Sequence, residues 1–174
     1  MRCDKVRTSR EASKLSGAGN VEKDYLMKVI ALAGVYNSGK TTVLNELIGE
    51  LKNRNASAVP NKTKIPSSYS GNDCRELLSW SANNGNAYII GVCTGGDLAS
   101  IINDNFTFFV DNQCDICITA CRAAASSDTV VEVIKESSTR FHRLPYFVAK
   151  MRTADAMHNK VDSQTVEQLL DMIS

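Results

Sequence analysis

Apolar residues along the chain fall into two kinds of segment: continuous runs, and stretches in which they recur at helical spacing. Continuous runs are typical of parallel strands buried on both faces, and helical spacing is typical of amphipathic helices packed on such a sheet. Strands are predicted over 29–33, 87–93, 115–120 and 144–149, with a shorter one over 56–60. Helices are predicted over 43–51, 73–81, 97–110, 126–135 and 163–173. This alternation predicts a three-layer α/β/α fold around a mainly parallel, five-stranded sheet.

The turn between the first predicted strand and its helix carries the clearest motif in the chain. Residues 34–41 fit G-x-x-x-x-G-K-S/T, with Gly34 and Gly39 at the glycine positions and Lys40 and Thr41 at the end. Small residues let the backbone curl around a polyphosphate, so that N–H groups and the positive end of the helix dipole face the anion. The strand before the motif and the helix after it are the context that the motif requires. The sequence therefore predicts a nucleotide-phosphate site in this turn.

On Gly34, Gly39, Lys40 and Thr41 the chain resembles the P-loop NTPase superfamily, and more narrowly its small, kinase-like, ATP-binding branch. The resemblance implies ATP or another nucleoside triphosphate together with Mg²⁺, and the strand order 2-3-1-4-5 with the P-loop strand in the centre. In this interpretation Lys40 reaches the β- and γ-phosphates and Thr41 offers its hydroxyl to Mg²⁺. The residues predicted to contact the nucleotide are Gly34, Asn37, Ser38, Gly39, Lys40, Thr41 and Thr42.

The carboxyl ends of the predicted strands nominate two further catalytic candidates, since ligands of such sheets bind beyond those ends. Asp97 follows the strand 87–93 and is a candidate for catalysis and for the second Mg²⁺ ligand, with capping of the next helix as the alternative. The strand itself ends in Cys93, where P-loop enzymes usually have the metal-binding acid. Arg122 could neutralise charge on a transferred phosphoryl group, or lie over the sheet edge, or pair with Asp128.

Two more pairs of residues have weaker assignments. Asp73 and Arg75 occupy the segment that small kinases use for the phosphoryl acceptor, so they are predicted to bind the substrate by analogy with that fold. Asp73 and Glu76 also resemble a capping box at the start of a helix. Lys150 and Arg152 lie where kinase-like folds often hold the base of the nucleotide, with a solvated basic face as the simpler interpretation.

Composition limits the class of protein. The chain has 174 residues, of which 43% are hydrophobic and 22% charged, and a formal net charge of +1. This predicts one nucleotide-binding domain over 25–174, preceded by a flexible extension over 1–24. The near-neutral charge makes nucleic acid an unexpected partner, and the absence of long apolar runs argues against a membrane. We expect a cytoplasmic protein, whose partners are a nucleotide and a small-molecule acceptor.

The six cysteines are expected to remain thiols, because a nucleotide-binding protein works in a reducing compartment. Cys114, Cys117 and Cys121 could suggest a metal site. They lie in a strand-like run, so Cys114 is expected to point away from the other two, and a buried core position is the favoured interpretation.

These features favour a Mg²⁺-dependent, ATP-binding, kinase-like phosphotransferase or ATPase that acts on the γ-phosphate. The alternative from another class is a nucleotide-responsive regulatory module with weak hydrolysis. A GTPase is ranked lower, because the guanine-reading N-K-x-D is absent after a late strand and no D-x-x-G follows the strand 87–93.

Overall fold

The computed structural model of the protein describes residues 27–60, 69, 71, 73–81, 85–123, 128–141, 143–152 and 157–174. The predicted extension over 1–24 lies outside the described residues. The strands are β1 Lys28–Gly34, β2 Ser57–Ala58, β3 Arg75–Ser81, β4 Ala87–Cys93, β5 Ile116–Arg122 and β6 Tyr146–Ala149. The helices are α1 Lys40–Asn53, α2 Ala99–Asp111, α3 Asp128–Thr139 and α4 His158–Ile173. No helix among the described residues is long and apolar enough to cross a bilayer.

The mixed α/β architecture is confirmed, but the sheet differs from the prediction in number and order of strands. It has six strands in the order β2-β3-β4-β5-β1-β6, so the P-loop strand β1 lies between β5 and β6. The predicted order had placed β1 beside β4. Instead, β4, β5, β1 and β6 run parallel, and β5 separates β4 from β1. Hydrophobic runs identify β1 and β5 as central strands because both are almost wholly buried, but they do not say which strands are neighbours.

The helix predicted over 73–81 is wrong. Arg75–Ser81 is strand β3, which pairs antiparallel with β4 along its whole length, from Arg75 opposite Cys93 to Ser81 opposite Ala87. Leu77 and Leu78 are both buried because consecutive strand residues face opposite sides of the sheet. Pairing with β4 therefore outweighs the capping signal of the sequence, and it brings the start of β3 to the sheet edge where β4 ends.

Two apolar clusters cover the two faces of the sheet. Alternate residues of β1 divide between them, Ile30 and Leu32 on one face, Val29 and Ala31 on the other. Helices α1 and α4 pack on the first face and on each other, and α2 and α3 pack on the second. Each helix thus reaches the sheet through the stripe of apolar residues that predicted it.

The described cysteines are free thiols, and four of them share one cluster. Cys114 packs in the same cluster as Cys93, Cys117 and Cys121, so the expectation that Cys114 points away is wrong. The reason is that Cys114 precedes β5, which begins at Ile116, and strand alternation does not extend to it. Burial raises the pKa of Cys121 to about 11 and raises that of Cys93 as well, so both thiols are held protonated.

Candidate nucleotide-binding site

The P-loop connects β1 to α1 through a tight turn whose two glycines are required by close packing at Gly34 and by backbone conformation at Gly39. Asn37 and Gly39 have positive φ angles of 53° and 86°. A Cβ atom at Gly34 would lie 2.5 Å from Ser38 Oγ and 2.7 Å from the carbonyl oxygen of Lys150. Ser38 is fully buried, and its hydroxyl has no hydrogen-bond partner among the described residues. The turn is therefore tightly packed against the end of β6.

Lys40 is folded back over this turn. Its Nζ donates hydrogen bonds to the carbonyl oxygens of Gly34 and Val35, at 3.1 and 3.0 Å. The residue is only 7% exposed, and burial lowers the pKa of Lys40, an effect that the nearby Asp97 carboxylate opposes. The ammonium thus sits over the loop with less stabilisation of its charge than water would provide.

Asp97 lies beside this lysine, and Thr41 has a different partner. The Asp97 carboxylate is 3.9 Å from Lys40 Nζ and 43% exposed. The alternative role in capping is wrong, because the N-cap of α2 is Leu98 and, among the described residues, this helix has no capping hydrogen bond from a side chain. The hydroxyl of Thr41 instead donates a hydrogen bond to Asp73 Oδ1 at 3.1 Å.

Asp73 reaches the P-loop because β3 is antiparallel to β4. The residues before β3 meet the loop after β4, where the backbone N–H of Cys74 donates to Thr94 Oγ1 at 2.7 Å. Thr94 Oγ1 in turn lies 3.5 Å from Asp73 Oδ1. Asp73 was assigned to the phosphoryl acceptor, but the structure places it against the threonine of the P-loop.

These residues surround an open cavity of about 540 Å³. Its lining comes from the P-loop, the segment before β3, the loop after β4 and helix α4: Tyr36, Asn37, Ser38, Gly39, Lys40, Thr41, Thr42, Asp73, Thr94, Gly95, Gly96, Asp97, Asn159 and Asp162. The side chains that face it include hydroxyls and carboxylates, the oxygen donors that Mg²⁺ prefers. Within the described part of the chain no group of three or more His, Cys, Asp or Glu could hold a metal by itself. This fits Mg²⁺, which typically takes one or two carboxylates and completes its shell with water and substrate phosphates.

Arg122 ends β5 next to the P-loop. Its guanidinium lies over the ring of Tyr36, 5.5 Å from the centroid, and its backbone N–H donates to the carbonyl oxygen of Gly96 at 3.1 Å. The side chain of Asp128, its alternative partner, lies outside the described residues. The side chain of Arg122 is not part of the cavity lining, but it contacts Tyr36, which is.

The sequence interpretation missed a buried polar network behind the loop after β4. Arg75 is 7% exposed, and its guanidinium lies between the rings of Tyr69 and Phe108. It donates to Asn105 Oδ1 at 3.0 Å, and Asn105 donates to the carbonyl oxygen of Gly95 at 2.8 Å. Arg75 therefore faces the interior and supports the loop, and it is not part of the cavity lining, so its assignment to the phosphoryl acceptor stays a prediction. The polar Asn105 on an otherwise apolar helix face was the only signal in the sequence.

We expect Asn105→Leu to lower the free energy of unfolding by about 2–3 kcal/mol, because the buried guanidinium of Arg75 and the carbonyl of Gly95 both lose the hydrogen bonds that Asn105 provides. Urea unfolding measures the loss. The double variant Asn105→Leu, Arg75→Met removes both polar partners, and it should be more stable than the single variant. Equal stability of Asn105→Leu and the parent would contradict this role.

Lys150 is also buried, so it does not form a solvated basic face. Lys150 and Asp162 are 3% and 5% exposed, and Lys150 Nζ lies 2.6 Å from Asp162 Oδ1. A Cβ atom at Gly39 would be 3.7 Å from Lys150 Cε and 3.8 Å from Asp162 Oδ2. This ion pair therefore supports the P-loop from the side of β6 and α4. Arg152, by contrast, is exposed.

Asp162→Asn should lower the free energy of unfolding by about 3 kcal/mol, since it leaves the Lys150 ammonium buried without a counter-charge. Thermal and urea unfolding measure the effect. Glu167→Gln is the control: it makes the same change of charge on the same helix, but in an exposed ion pair with Arg54. It should lower the free energy of unfolding by about 0.5 kcal/mol or less. Equal losses for the two variants would show that the buried pair has no special role.

The sequence profile of the 50S ribosome-binding GTPase family matches residues 29–169 of the chain. The chain belongs to this family. The match covers the P-loop and every strand and helix described above except the first residue of β1 and the last residues of α4. It therefore shows a nucleotide-binding P-loop protein, whereas the kinase-like branch is not confirmed. Comparison with curated proteins and with solved structures found no match.

Two motifs of GTPases are only partly present at their structural positions. After β4, residues 93–96 keep the glycine of D-x-x-G as Gly96 but have Cys93 at the acidic position. At the end of β6, residues 149–152 keep the lysine of N-K-x-D as Lys150, with Ala149 and Arg152 at the other specific positions. The phosphate-binding part of the site thus follows the family pattern more closely than the base-reading part.

Proposed function

We propose that the protein is a Mg²⁺-dependent nucleoside triphosphatase that binds GTP and hydrolyses the γ-phosphate. One observation carries the proposal: the P-loop opens into a cavity of about 540 Å³ in which Lys40 and Thr41 lie side by side, in a chain of a GTPase family. The cavity is large enough for a nucleotide, since ligand pockets usually measure about 300–1,000 Å³.

The P-loop binds the phosphates through the backbone N–H groups at the start of α1 and the dipole of that helix. Lys40 exchanges the carbonyl oxygens of Gly34 and Val35 for oxygens of the β- and γ-phosphates. This exchange is favourable because burial destabilises the charged ammonium, and the negative charge of a phosphate compensates for that loss. Mg²⁺, when bound, neutralises charge on the same phosphates.

Arg122 and the loop after β4 act near the γ-phosphate. Gly95 and Gly96 line the cavity, and glycine lets a backbone approach a ligand closely. Arg122 is held by the ring of Tyr36, and from there its positive charge stabilises the charge that develops as the γ-phosphoryl group leaves. Because Cys93 replaces the usual acid, we expect slow turnover, which also suits a nucleotide-responsive regulator.

ATP is the second candidate nucleotide, and Arg152 is the observation that favours it. In N-K-x-D the terminal carboxylate accepts hydrogen bonds from guanine, and a guanidinium cannot accept any. GTP remains first because Lys150 keeps the lysine of the motif and lies against Gly39 of the P-loop. Kinase-like transfer to a small acceptor is less favoured than hydrolysis, because Asp73 and Arg75 have partners within the protein.

The test combines competition binding with turnover. A fluorescent GTP analogue is displaced by unlabelled GTP or ATP in the presence of Mg²⁺, and phosphate release is followed with and without EDTA. We expect tighter binding of GTP than of ATP and release of phosphate that requires Mg²⁺. Tighter binding of ATP would assign the protein to the second candidate, and binding of neither would refute the proposal.

A further inference from the structure

We propose that Asp73 is the carboxylate ligand of the bound Mg²⁺, supplied by the segment before the antiparallel strand β3 in place of an acid at the end of β4. This inference rests on the proposed function, because the metal is expected with the nucleotide. It assigns the metal site to a residue outside the P-loop and outside the strand end where the sequence suggested it.

The position of Asp73 carries the inference. Its Oδ1 accepts a hydrogen bond from Thr41, the P-loop hydroxyl assigned to Mg²⁺, at 3.1 Å. Both side chains line the cavity. A cation bound to the Thr41 oxygen would thus find the carboxylate adjacent, and with phosphate oxygens and water two protein ligands are sufficient for Mg²⁺.

Three other groups near the cavity are less suited to this position. Cys93, at the end of β4, is fully buried within a cluster of apolar residues and thiols, and burial raises its pKa, so no thiolate faces the cavity. The Asp97 carboxylate lies 3.9 Å from Lys40 Nζ and forms an ion pair with that lysine. Of the carboxylates that line the cavity, Asp162 is paired with Lys150 on the opposite side of the P-loop.

The segment that carries Asp73 is held in place by the loop after β4. Two hydrogen bonds join Cys74 and Thr94: the Cys74 N–H donates to the Thr94 side-chain Oγ1 at 2.7 Å, and the Thr94 N–H donates to the Cys74 carbonyl at 3.0 Å. Gly95 completes the contact, because a Cβ atom there would be 3.1 Å from the Tyr69 ring and 3.4 Å from Asp73 Oδ2. The carboxylate is thus positioned before a metal binds, which lowers the cost of ordering it.

The first experiment measures how much Mg²⁺ strengthens nucleotide binding. The affinity of the β,γ-imido analogue of GTP or ATP, whichever binds more tightly, is determined with Mg²⁺ and with EDTA. In Asp73→Asn the strengthening by Mg²⁺ should fall by about 10–100-fold, the range seen when groups that support a metal are removed. In EDTA the variant should bind at least as tightly as the parent, because a negative charge near the phosphates is gone.

Glu76→Gln is the matched control. It removes one carboxylate charge close to Asp73 in sequence, but Glu76 pairs with Lys52 and is not part of the cavity lining. Its dependence on Mg²⁺ should equal that of the parent. A parent-like dependence on Mg²⁺ in Asp73→Asn, or its loss in Asp97→Asn instead, would overturn the inference and leave the proposed function intact.

A change of metal specificity gives a second, independent readout. Asp73→Cys replaces the hard oxygen with a soft sulfur, so Cd²⁺ should strengthen nucleotide binding in this variant more than Mg²⁺ does, whereas the parent should prefer Mg²⁺. The same preference for metals in the variant and the parent would count against direct ligation. If the parent binds neither nucleotide under any of these conditions, the proposed function fails and this inference fails with it.

Discussion

Lys40→Ala is expected to weaken the binding of Mg²⁺–GTP by about 100-fold or more and to reduce phosphate release accordingly. A hydrogen bond to a charged group contributes about 1.5–3 kcal/mol, and about 1.4 kcal/mol corresponds to a tenfold change in affinity. Lys40 carries the cationic head group that lies over the P-loop, where Nζ reaches two carbonyl oxygens of the turn. Titration with a fluorescent nucleotide, or isothermal calorimetry, measures the loss.

The same variant should also differ from the parent in how its free energy of unfolding depends on pH. Burial lowers the pKa of Lys40 below its ordinary value of 10.5, so between the two values the unfolded chain binds more protons than the folded one. The free energy of unfolding of the parent should therefore gain a contribution as the pH rises from the lowered pKa towards 10.5. Lys40→Ala should lose this gain, which urea unfolding at several pH values in the absence of nucleotide would detect.

Lys52→Ala is the control for both measurements. Lys52 lies on the same helix, but it is exposed and pairs with Glu76. Its removal should leave nucleotide affinity unchanged and cost at most about 1 kcal/mol of stability. Parent-like affinity in Lys40→Ala would remove the basis of the proposed function, whereas an equal loss in both variants would indicate a general effect of charge.

The amino-acid sequence predicts correctly those elements whose structure is determined by neighbouring residues in the chain. The run that forms β1, the glycines of the turn and the apolar stripe of α1 are contiguous in the chain, so strand, loop and helix were all predicted at their observed places. The same holds for β4, α2 and α4, whose cores were predicted to within a few residues. Leu98 is an exception, since it belongs to the apolar pattern of the predicted helix 97–110 and is nevertheless 55% exposed.

Long-range pairing explains most of what could not be predicted. The residues of β3 carry a local helix signal, and only hydrogen bonding to β4 makes them a strand. The same error affected the predicted positions of Asp73 and Arg75, because a helix over 73–81 would not place these residues beside the end of β4. The partners of Thr41, Lys40 and Lys150 depend on tertiary contacts with residues far away in the chain, which periodicity does not reveal.

Gly96→Ala is expected to have the largest effect on stability, with a loss of more than about 4 kcal/mol or a failure to fold. A Cβ atom at this position would lie 1.8 Å from the carbonyl oxygen of Ala120 and 2.4 Å from its carbonyl carbon. These are backbone atoms of β5, so no side chain can move aside, and the loop after β4 would have to separate from the strand. Such a clash exceeds the usual cost of overpacking, about 1–3 kcal/mol. Chemical unfolding, or the soluble yield if folding fails, measures it.

Gly49→Ala is the matched control, because the same methyl group enters helix α1 at a position where no other described part of the protein lies within 4 Å of it. The free energy of unfolding of this variant should rise by about 0.5–1 kcal/mol, since alanine is a better helix former than glycine. The contrast tests the packing of the site as well as the fold: Gly96 accepts the hydrogen bond from Arg122 N–H, and it lines the cavity beside Asp97. A stable Gly96→Ala variant that still binds nucleotide would therefore show that the loop after β4 does not lie against β5 as described, and the positions inferred for Arg122 and Asp73 would lose their support.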